Sequence, residues 1–157
     1  MSGGAREPIR ACIFGLGNIG AGYALDSKGQ PRSHLDAIIQ SVGIEPVLLV
    51  DNNSSILNSV CSRYSELDPS IFVTKVPLIK NFSKYTAIDV AVVCTPLSGR
   101  YDLIKNLTKL RPKVLVLEKP VASNCVEAKK ILELCKDLEI ECRVNFPRRL
   151  DVRIRKA

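Results

Sequence analysis

The feature that most constrains this chain is a glycine-rich turn directly after a short apolar strand. The strand is predicted from Ile9 to Phe14, and the six residues that follow read GLGNIG. In a strand–turn–helix unit such glycines allow a tight turn, close approach of a diphosphate, and packing of helix on strand. The amides at the helix start then face the diphosphate. The motif predicts a dinucleotide site formed by Gly15, Leu16, Gly17, Asn18, Ile19 and Gly20; the alternative is a glycine turn without a ligand.

Two hydrophobic periods alternate along the rest of the chain. Apolar runs predict strands over 46–50, 71–74, 87–94, 114–117 and 141–146, and helical spacing marks 33–42, 56–64, 97–107 and 128–138. Ser33 is an expected N-cap, Asn124 and Glu127 fit a capping box, and a polar loop over 26–33 divides the first helical region. Six strands alternating with helices predict an α/β fold with a doubly wound, mostly parallel sheet and helices on both faces, a Rossmann fold.

Asp51 ends the second predicted strand, where a carboxylate accepts hydrogen bonds from the adenosine ribose and repels a 2′-phosphate. No lysine or arginine follows in NNSS, so NAD is favoured over NADP. Asp51 lies 31 residues after Gly20, whereas the usual spacing is about 20, and the inserted loop over 26–33 accounts for most of the difference. The alternative is that Asp51 only caps the next helix.

Glu118, Lys119 and Pro120 follow the fifth predicted strand, at the edge where open α/β sheets bind ligands. A lysine there can polarise a carbonyl or hydroxyl oxygen and stabilise developing negative charge. The alternative is a charged, solvated loop.

Charge and composition limit the classes of protein to which the chain could belong. The 157 residues are 46% hydrophobic, as in one ordinary domain. Residues 1–142 contribute +2 to the net charge of +7 and residues 143–157 contribute +5, so the basic residues do not spread over several elements as in a nucleic-acid surface. The chain has no apolar stretch of about 18 residues, as a membrane span needs, and MSGGAREPIR lacks a signal-peptide core. We expect a cytoplasmic protein that binds neither nucleic acid nor membrane.

The six cysteines form no CxxC pair, and the sequence has a single histidine. In a chain large enough to build its own core, such cysteines are usually buried thiols. We therefore expect neither a disulfide framework nor a metal site.

Five segments together resemble one family. GLGNIG, Val50–Asp51, Thr95–Pro96, the EKP triplet at 118–120 and NFPRR at 145–149 resemble the Gfo/Idh/MocA oxidoreductases, over residues 8–157 and in the family's order. The resemblance implies that residues 1–146 form an NAD(P)-binding Rossmann domain. It also implies that 147–157 begin a second domain that is otherwise absent from this sequence.

The resemblance also implies roles for single residues. The glycine turn and Asp51 would hold the diphosphate and adenosine of NAD, and Thr95 and Pro96 would line the cofactor cleft. Glu118 would contact the nicotinamide ribose, and Lys119 would be the catalytic residue beside the hydride-transfer centre.

Two further positions are marked by the same comparison. His34 resembles a histidine that often follows the first loop in this family, and the alternative is a surface or helix-start histidine. Arg100 stands where the family usually has a histidine, and its role is left open.

The resemblance implies hydride transfer between NAD and a small-molecule carbohydrate: a sugar, an inositol or a sugar-nucleotide derivative. With the second domain absent, we expect weak NAD binding and little turnover from this chain alone. The alternative is a non-catalytic NAD-binding or scaffold module that acts through a partner or a homo-oligomer interface, because a free Rossmann domain would expose apolar surface.

Overall fold

The structure, a computed structural model, describes residues 7–23, 29–74 and 88–147. Strands and helices alternate in these ranges as the hydrophobic periods predict. Their bounds are β1 (Ile9–Phe14), α1 (His34–Gln40), β2 (Ile44–Asp51), α2 (Ser54–Arg63), β3 (Phe72–Thr74), β4 (Val90–Val93), α3 (Arg100–Leu107), β5 (Val114–Glu118), α4 (Cys125–Asp137) and β6 (Glu141–Asn145). Short helical turns lie at Asn18–Gly22, Pro69–Ile71 and Thr108–Leu110.

The six described strands form one sheet in the order β3-β2-β1-β4-β5-β6. Every pair of neighbouring strands is parallel. The chain builds outward from β1 to one edge, then returns to the other side of β1 with β4. This is the doubly wound Rossmann topology, which confirms the predicted fold.

Two hydrophobic clusters cover the two faces of the sheet. Cys12 and Phe14 of β1 belong to the cluster that α3 and α4 complete. Ala11 and Ile13 belong to the cluster that α1 and α2 complete. Successive side chains of a strand point to opposite faces, so a strand buried on both sides has to be apolar throughout.

A register shift interrupts the pairing of β1 with β2 next to Pro46. Ala11 pairs with Pro46, but Cys12 pairs with Leu48, so Val47 has no partner in that register. Proline has no amide to donate to the ladder, and strands accommodate it at such irregularities.

Side-chain caps begin three of the helices. The Ser33 hydroxyl accepts from the amide of Asp36 at 3.2 Å, and Asn53 caps α2. Asn124 accepts from the amide of Glu127 at 2.9 Å, and the Glu127 carboxylate accepts from the amide of Ser123 at 3.0 Å. The Ser33 cap and the Asn124 half of the predicted capping box are confirmed, whereas Glu127 binds the amide of Ser123, one residue before the cap, instead of that of Asn124.

Several element bounds differ from the sequence prediction. The predicted strand over 87–94 is described only from Val90 to Val93, with residue 87 outside the described ranges. The predicted helix over 97–107 begins at Arg100, because Gly99 before it has a φ of +72°. Residues 26–28 of the predicted loop and 148–157 of the predicted second-domain segment lie outside the described residues.

Three further observations concern membrane spans, metal sites and cysteines. None of the described helices is long and apolar enough to cross a membrane. Over residues 7–23, 29–74 and 88–147, the structure places no three His, Cys, Asp or Glu side chains together as a metal site would. All six cysteines are free, and only Cys12 and Cys135 are fully buried, whereas Cys125 is exposed.

Candidate functional site

Two loops meet at the point where the order of strands reverses, between β1 and β4. Gly15 follows β1, and Thr95 follows β4 after Cys94. A Cβ atom built on Gly15 would lie 2.9 Å from the Cys94 carbonyl carbon and 2.9 Å from the Thr95 nitrogen, and the φ of Gly15 is +90°. Only glycine combines this backbone conformation with so close an approach. Open α/β sheets bind ligands in the crevice at this point.

The glycine turn continues into one short turn of π-helix, Asn18–Gly22. The amides of Ala21 and Gly22 donate to the Gly17 carbonyl at 3.0 and 2.9 Å. The regular helix expected after the turn is therefore wrong for the described residues. Two glycines within five residues weaken a helix, and the Arg63 guanidinium binds the carbonyls of Ala21 and Gly22 at 3.1 and 2.9 Å.

Gly17 and Gly20 differ in the space that a side chain would find beside them. A Cβ atom on Gly20 would lie 2.0 Å from the Gly15 carbonyl oxygen, so the turn closes on itself there. Apart from its chain neighbours, a Cβ atom on Gly17 would meet no atom of the described residues within 4 Å. The backbone at Gly17 is therefore open to a ligand.

Asp51 ties the glycine turn to the end of β2. Its Oδ2 accepts from the amide of Leu16 at 2.7 Å, and its Oδ1 accepts from the amide of Asn53 at 2.8 Å. The N-cap of α2 is Asn53, whose side chain accepts from the amides of Ser55 and Ile56. The alternative that Asp51 is the helix cap is therefore wrong.

A cavity of about 870 Å³ lies between the loops that follow β1, β2 and β4. Its volume is in the range of small-molecule sites, roughly 300–1,000 Å³. The Oγ1 atom of Thr95 is buried and has no hydrogen-bond partner in the described part of the chain. The lining residues are Phe14, Gly15, Val50, Asp51, Asn52, Asn53, Ser54, Thr95, Pro96, Ser98, Gly99 and Leu103.

Glu118 lies in a separate polar cluster at the ends of β5 and β6. It is 7% exposed, and its Oε1 lies 2.8 Å from His34 Nε2. Asn145 pairs with Glu118 in the parallel register and donates from Nδ2 to the same Oε1 at 2.5 Å. Because a carboxylate accepts, the His34 ring donates to it. The cluster joins the start of α1 to the far side of the sheet.

A buried network fixes the position of His34. The neighbouring Asp36 accepts from the Tyr64 hydroxyl at 2.5 Å and from the Ser33 hydroxyl at 2.8 Å. Burial, with the nearby Asp36 carboxylate, raises the pKa of Tyr64 to about 12. The tyrosine therefore remains a neutral hydrogen-bond donor at neutral pH, and it anchors α2 to the first turn of α1.

Lys119 is exposed and lies in the turn after β5, joined to Pro120 by a cis peptide bond. The backbone on either side of it is held by Arg100, which is 4% exposed. Arg100 Nη1 donates to the carbonyls of Glu118 at 2.9 Å and Pro120 at 2.5 Å, and lies 3.4 Å from that of Val121. Its Nη2 donates to the Thr95 carbonyl.

Burial also changes the ionisation of two groups at this edge of the sheet. Desolvation raises the pKa of Cys94 to about 12, and the Glu118 carboxylate adds to the rise. Desolvation lowers the pKa of Arg100, and the Cys94 and Glu118 charges oppose that shift. At neutral pH Cys94 is therefore a thiol rather than a thiolate nucleophile.

The predicted site residues fall into three groups. Gly15, Asp51, Thr95 and Pro96 share the main cavity. A neighbouring cavity of about 330 Å³ is lined by Leu16, Gly17 and Asn18 together with residues of α2, whereas Ile19 is 41% exposed and Gly20 is buried. The third group, Glu118 and Lys119, lines neither of these two cavities.

Sequence reasoning missed the contributions of two residues. Asn145 enters the sequence analysis only as the first residue of the NFPRR segment, although parallel pairing of the last two strands places it beside Glu118. Arg100 has no role in the sequence analysis, because its acceptors are backbone carbonyls of the loops after β4 and β5, and these leave no pattern in a sequence.

The sequence matches the profile of the GFO_IDH_MocA family, described as "Oxidoreductase family, NAD-binding Rossmann fold", over residues 9–146. A comparison with curated proteins found no match.

Solved structures with the same fold include three oxidoreductases. A putative myo-inositol dehydrogenase from Sinorhizobium meliloti superimposes with a TM-score of 0.68 at 22% identity, over 92% of this chain and 38% of its own. A mutant 3-ketoreductase from Actinomadura kijaniata, in complex with TDP-benzene and NADP, gives 0.73 at 15% identity, over 96% and 42%. The WlbA dehydrogenase from Bordetella pertussis, in complex with NADH and UDP-GlcNAcA, gives 0.71 at 19% identity, over 96% and 40%.

These likenesses concern the fold, and the chain spans about two fifths of the length of each of these structures. The family profile, in contrast, covers most of the sequence, from the first strand to the end of the last. The chain belongs to the GFO_IDH_MocA family of oxidoreductases, of which it carries the NAD-binding Rossmann domain.

Proposed function

We propose that the chain binds NAD across the carboxyl edge of its sheet, as part of an oxidoreductase that acts on a sugar, an inositol or a sugar-nucleotide derivative. The observation that carries the proposal is the open backbone at Gly17, in a turn whose other glycines are closed by contacts. A side chain at any of these positions would either clash or stand where a diphosphate approaches the backbone.

The residues present fit a dinucleotide. Thr95 offers a buried hydroxyl, without a partner in the described ranges, beside a cavity large enough for a nucleoside. In this proposal the turn from Gly15 to Gly20 holds the diphosphate, Asp51 accepts from the adenosine ribose, and Thr95 with Pro96 lines the cleft. Bound NAD supplies the hydride-transfer chemistry.

The chain's own residues orient the nicotinamide end. In this proposal Glu118 accepts from the nicotinamide ribose through Oε2, since Oε1 already accepts from His34 and Asn145. Lys119, exposed at the same edge, donates from its ammonium to the substrate oxygen and stabilises negative charge that develops there.

The preference for NAD over NADP rests on charge. Asp51 is the carboxylate at the end of β2, and neither of the next two residues, Asn52 and Asn53, is basic. A 2′-phosphate placed there would face a negative group with no counter-charge from this loop. The solved structures with this fold hold NADH in one case and NADP in another.

Calorimetric titration of the 157-residue chain tests the proposal. We expect saturable heat with NADH and weaker binding of NADPH. Absence of heat at millimolar NADH, with circular dichroism showing a folded chain, would contradict cofactor binding.

Substitutions at Asp51 test the preference. Asp51→Asn keeps an oxygen acceptor for the Leu16 amide but removes the charge, so we expect the NADH-to-NADPH affinity ratio to fall. The matched control is Asp102→Asn, which removes an exposed carboxylate from α3. An unchanged ratio in Asp51→Asn would refute the ribose assignment.

Substrate class is tested by mixing the chain and NAD⁺ with myo-inositol, free sugars and UDP-sugars and following NADH formation. We expect a low rate with one of these classes, and loss of that rate in Lys119→Met with NADH affinity unchanged. Equal rates in Lys119→Met and the wild-type chain would remove Lys119 from the chemistry. The cytoplasmic location expected from the sequence stays a prediction.

A further inference from the structure

Arg100 is a buried charge whose hydrogen bonds all go to backbone carbonyls. It is 4% exposed, and the described residues contain no carboxylate within salt-bridge distance of it. A buried guanidinium is costly unless its donors are satisfied. Nη1 and Nη2 have acceptors in the turn after β5 and in the loop after β4, whereas Nε is buried and has no partner among the described residues.

The acceptors bracket Lys119 in the chain. The carbonyl of Glu118 immediately precedes Lys119, and the carbonyl of Pro120 follows it by one residue. Holding both carbonyls on one nitrogen fixes the backbone from which the Lys119 side chain extends. The second nitrogen binds the carbonyl of Thr95, the residue whose side chain is next to the main cavity.

We infer that Arg100 is a positioning residue that sets the Glu118–Val121 turn, and with it Lys119, at a fixed place relative to the Thr95 loop. The inference rests on the proposed function, which places the nicotinamide end of the cofactor at this turn.

The shape of arginine explains why this residue type is present. A guanidinium is a planar fork that donates in two directions at once, whereas lysine donates from a single point. The two loops that Arg100 joins follow neighbouring parallel strands, β4 and β5. A histidine would offer two ring nitrogens instead of the fork.

The first measurement uses 15N relaxation of the 157-residue chain without cofactor. In Arg100→Ala we expect the order parameters of the amides of Lys119, Val121 and Ala122 to fall from about 0.85, as in rigid backbone, to below about 0.6, because the carbonyls of this turn lose their donor. The amides of β1 should keep their wild-type order parameters. The matched control is Arg143→Ala, which removes an exposed guanidinium from β6.

The second measurement separates the two halves of the cofactor. In Arg100→Ala we expect the Kd of NADH to rise about tenfold, equivalent to about 1.4 kcal/mol, and that of ADP-ribose, which lacks the nicotinamide, to rise much less. Arg100→Lys should recover part of the loss, since it restores a donor to one loop. If Arg100→Ala does not fold, Arg100→Lys carries both measurements.

The outcomes are distinct. Unchanged order parameters in the turn overturn the role of Arg100 whatever the cofactor does. Equal weakening of NADH and ADP-ribose also overturns it, because Arg100 would then support the whole domain. Failure of the wild-type chain to bind NADH refutes the proposed function instead, and the nicotinamide part of this inference with it.

Discussion

The two glycines with opposite surroundings give the sharpest test of the site. Gly17→Ala introduces a methyl group that meets no atom within 4 Å in the part of the chain that the structure describes, apart from its chain neighbours, at a φ of −60° that alanine adopts freely. Gly20→Ala introduces the same group 2.0 Å from the Gly15 carbonyl oxygen. The pair therefore separates loss of binding from loss of folding with one chemical change.

The expected magnitudes follow from these distances. Gly17→Ala should change the free energy of unfolding by less than about 0.5 kcal/mol, as at an uncrowded surface position. Gly20→Ala must move backbone by more than an ångström, so we expect a loss of about 3 kcal/mol, at the upper end of overpacking effects. For a domain of this size that lowers Tm by roughly 6–12 °C.

For NADH affinity, in contrast to stability, we expect a clear effect of Gly17→Ala. Under the proposed function the methyl group of Gly17→Ala stands between the backbone and the diphosphate, and we expect the Kd of NADH to rise at least about tenfold, or 1.4 kcal/mol. Thermal unfolding followed by circular dichroism and titration with NADH measure the two effects. A Gly17→Ala variant with wild-type Tm and wild-type NADH affinity would refute the reasoning.

Two further predictions concern groups away from the cleft. Asp89→Asn should destabilise the chain by about 1–2 kcal/mol at pH 7, because Asp89 accepts from the amide of Arg10 at 3.0 Å and lies 2.7 Å from the Lys113 ammonium. Those contacts lower the pKa of Asp89, so its stabilisation is fully present above about pH 4 and is lost as the pH falls through the lower folded-state pKa. Urea unfolding at pH 7 and at successively lower pH should show the difference between the chains shrink, and a difference that stays constant would contradict this. Iodoacetamide at pH 8 should modify the exposed Cys125 well before Cys94, because burial raises the pKa of Cys94 to about 12. Peptide mass spectrometry of the labelled chain checks the order. Modification of Cys94 before Cys125 would contradict this and show that the loop of Cys94 opens.

The fold could be predicted from the sequence because two signals agree. A strand such as β1 is apolar at every residue from Ala11 to Phe14. Burial on both faces of the sheet requires this. The capped amphipathic helices between the strands then leave parallel pairing as the only arrangement with short connections. Element ends were less predictable, because they depend on single dihedral angles such as that of Gly99.

The candidate site was only partly predictable, for a physical reason. Residues next to the ends of predicted strands, such as Asp51 and Thr95, reach one edge because parallel strands share their carboxyl ends. The partners of Glu118 could not be predicted in this way. His34 comes from 84 residues away, across the sheet, and a sequence alone contains no measure of that distance.

The contacts of Asp51 also bear on how cofactor choice can change. Its carboxylate is at once the group that would exclude a 2′-phosphate and the acceptor that secures the Leu16 amide at 2.7 Å. Deleting it to admit NADP would release the loop that any dinucleotide needs. Redesign of coenzyme preference in this protein therefore requires a neutral acceptor at position 51 before a basic residue is added nearby.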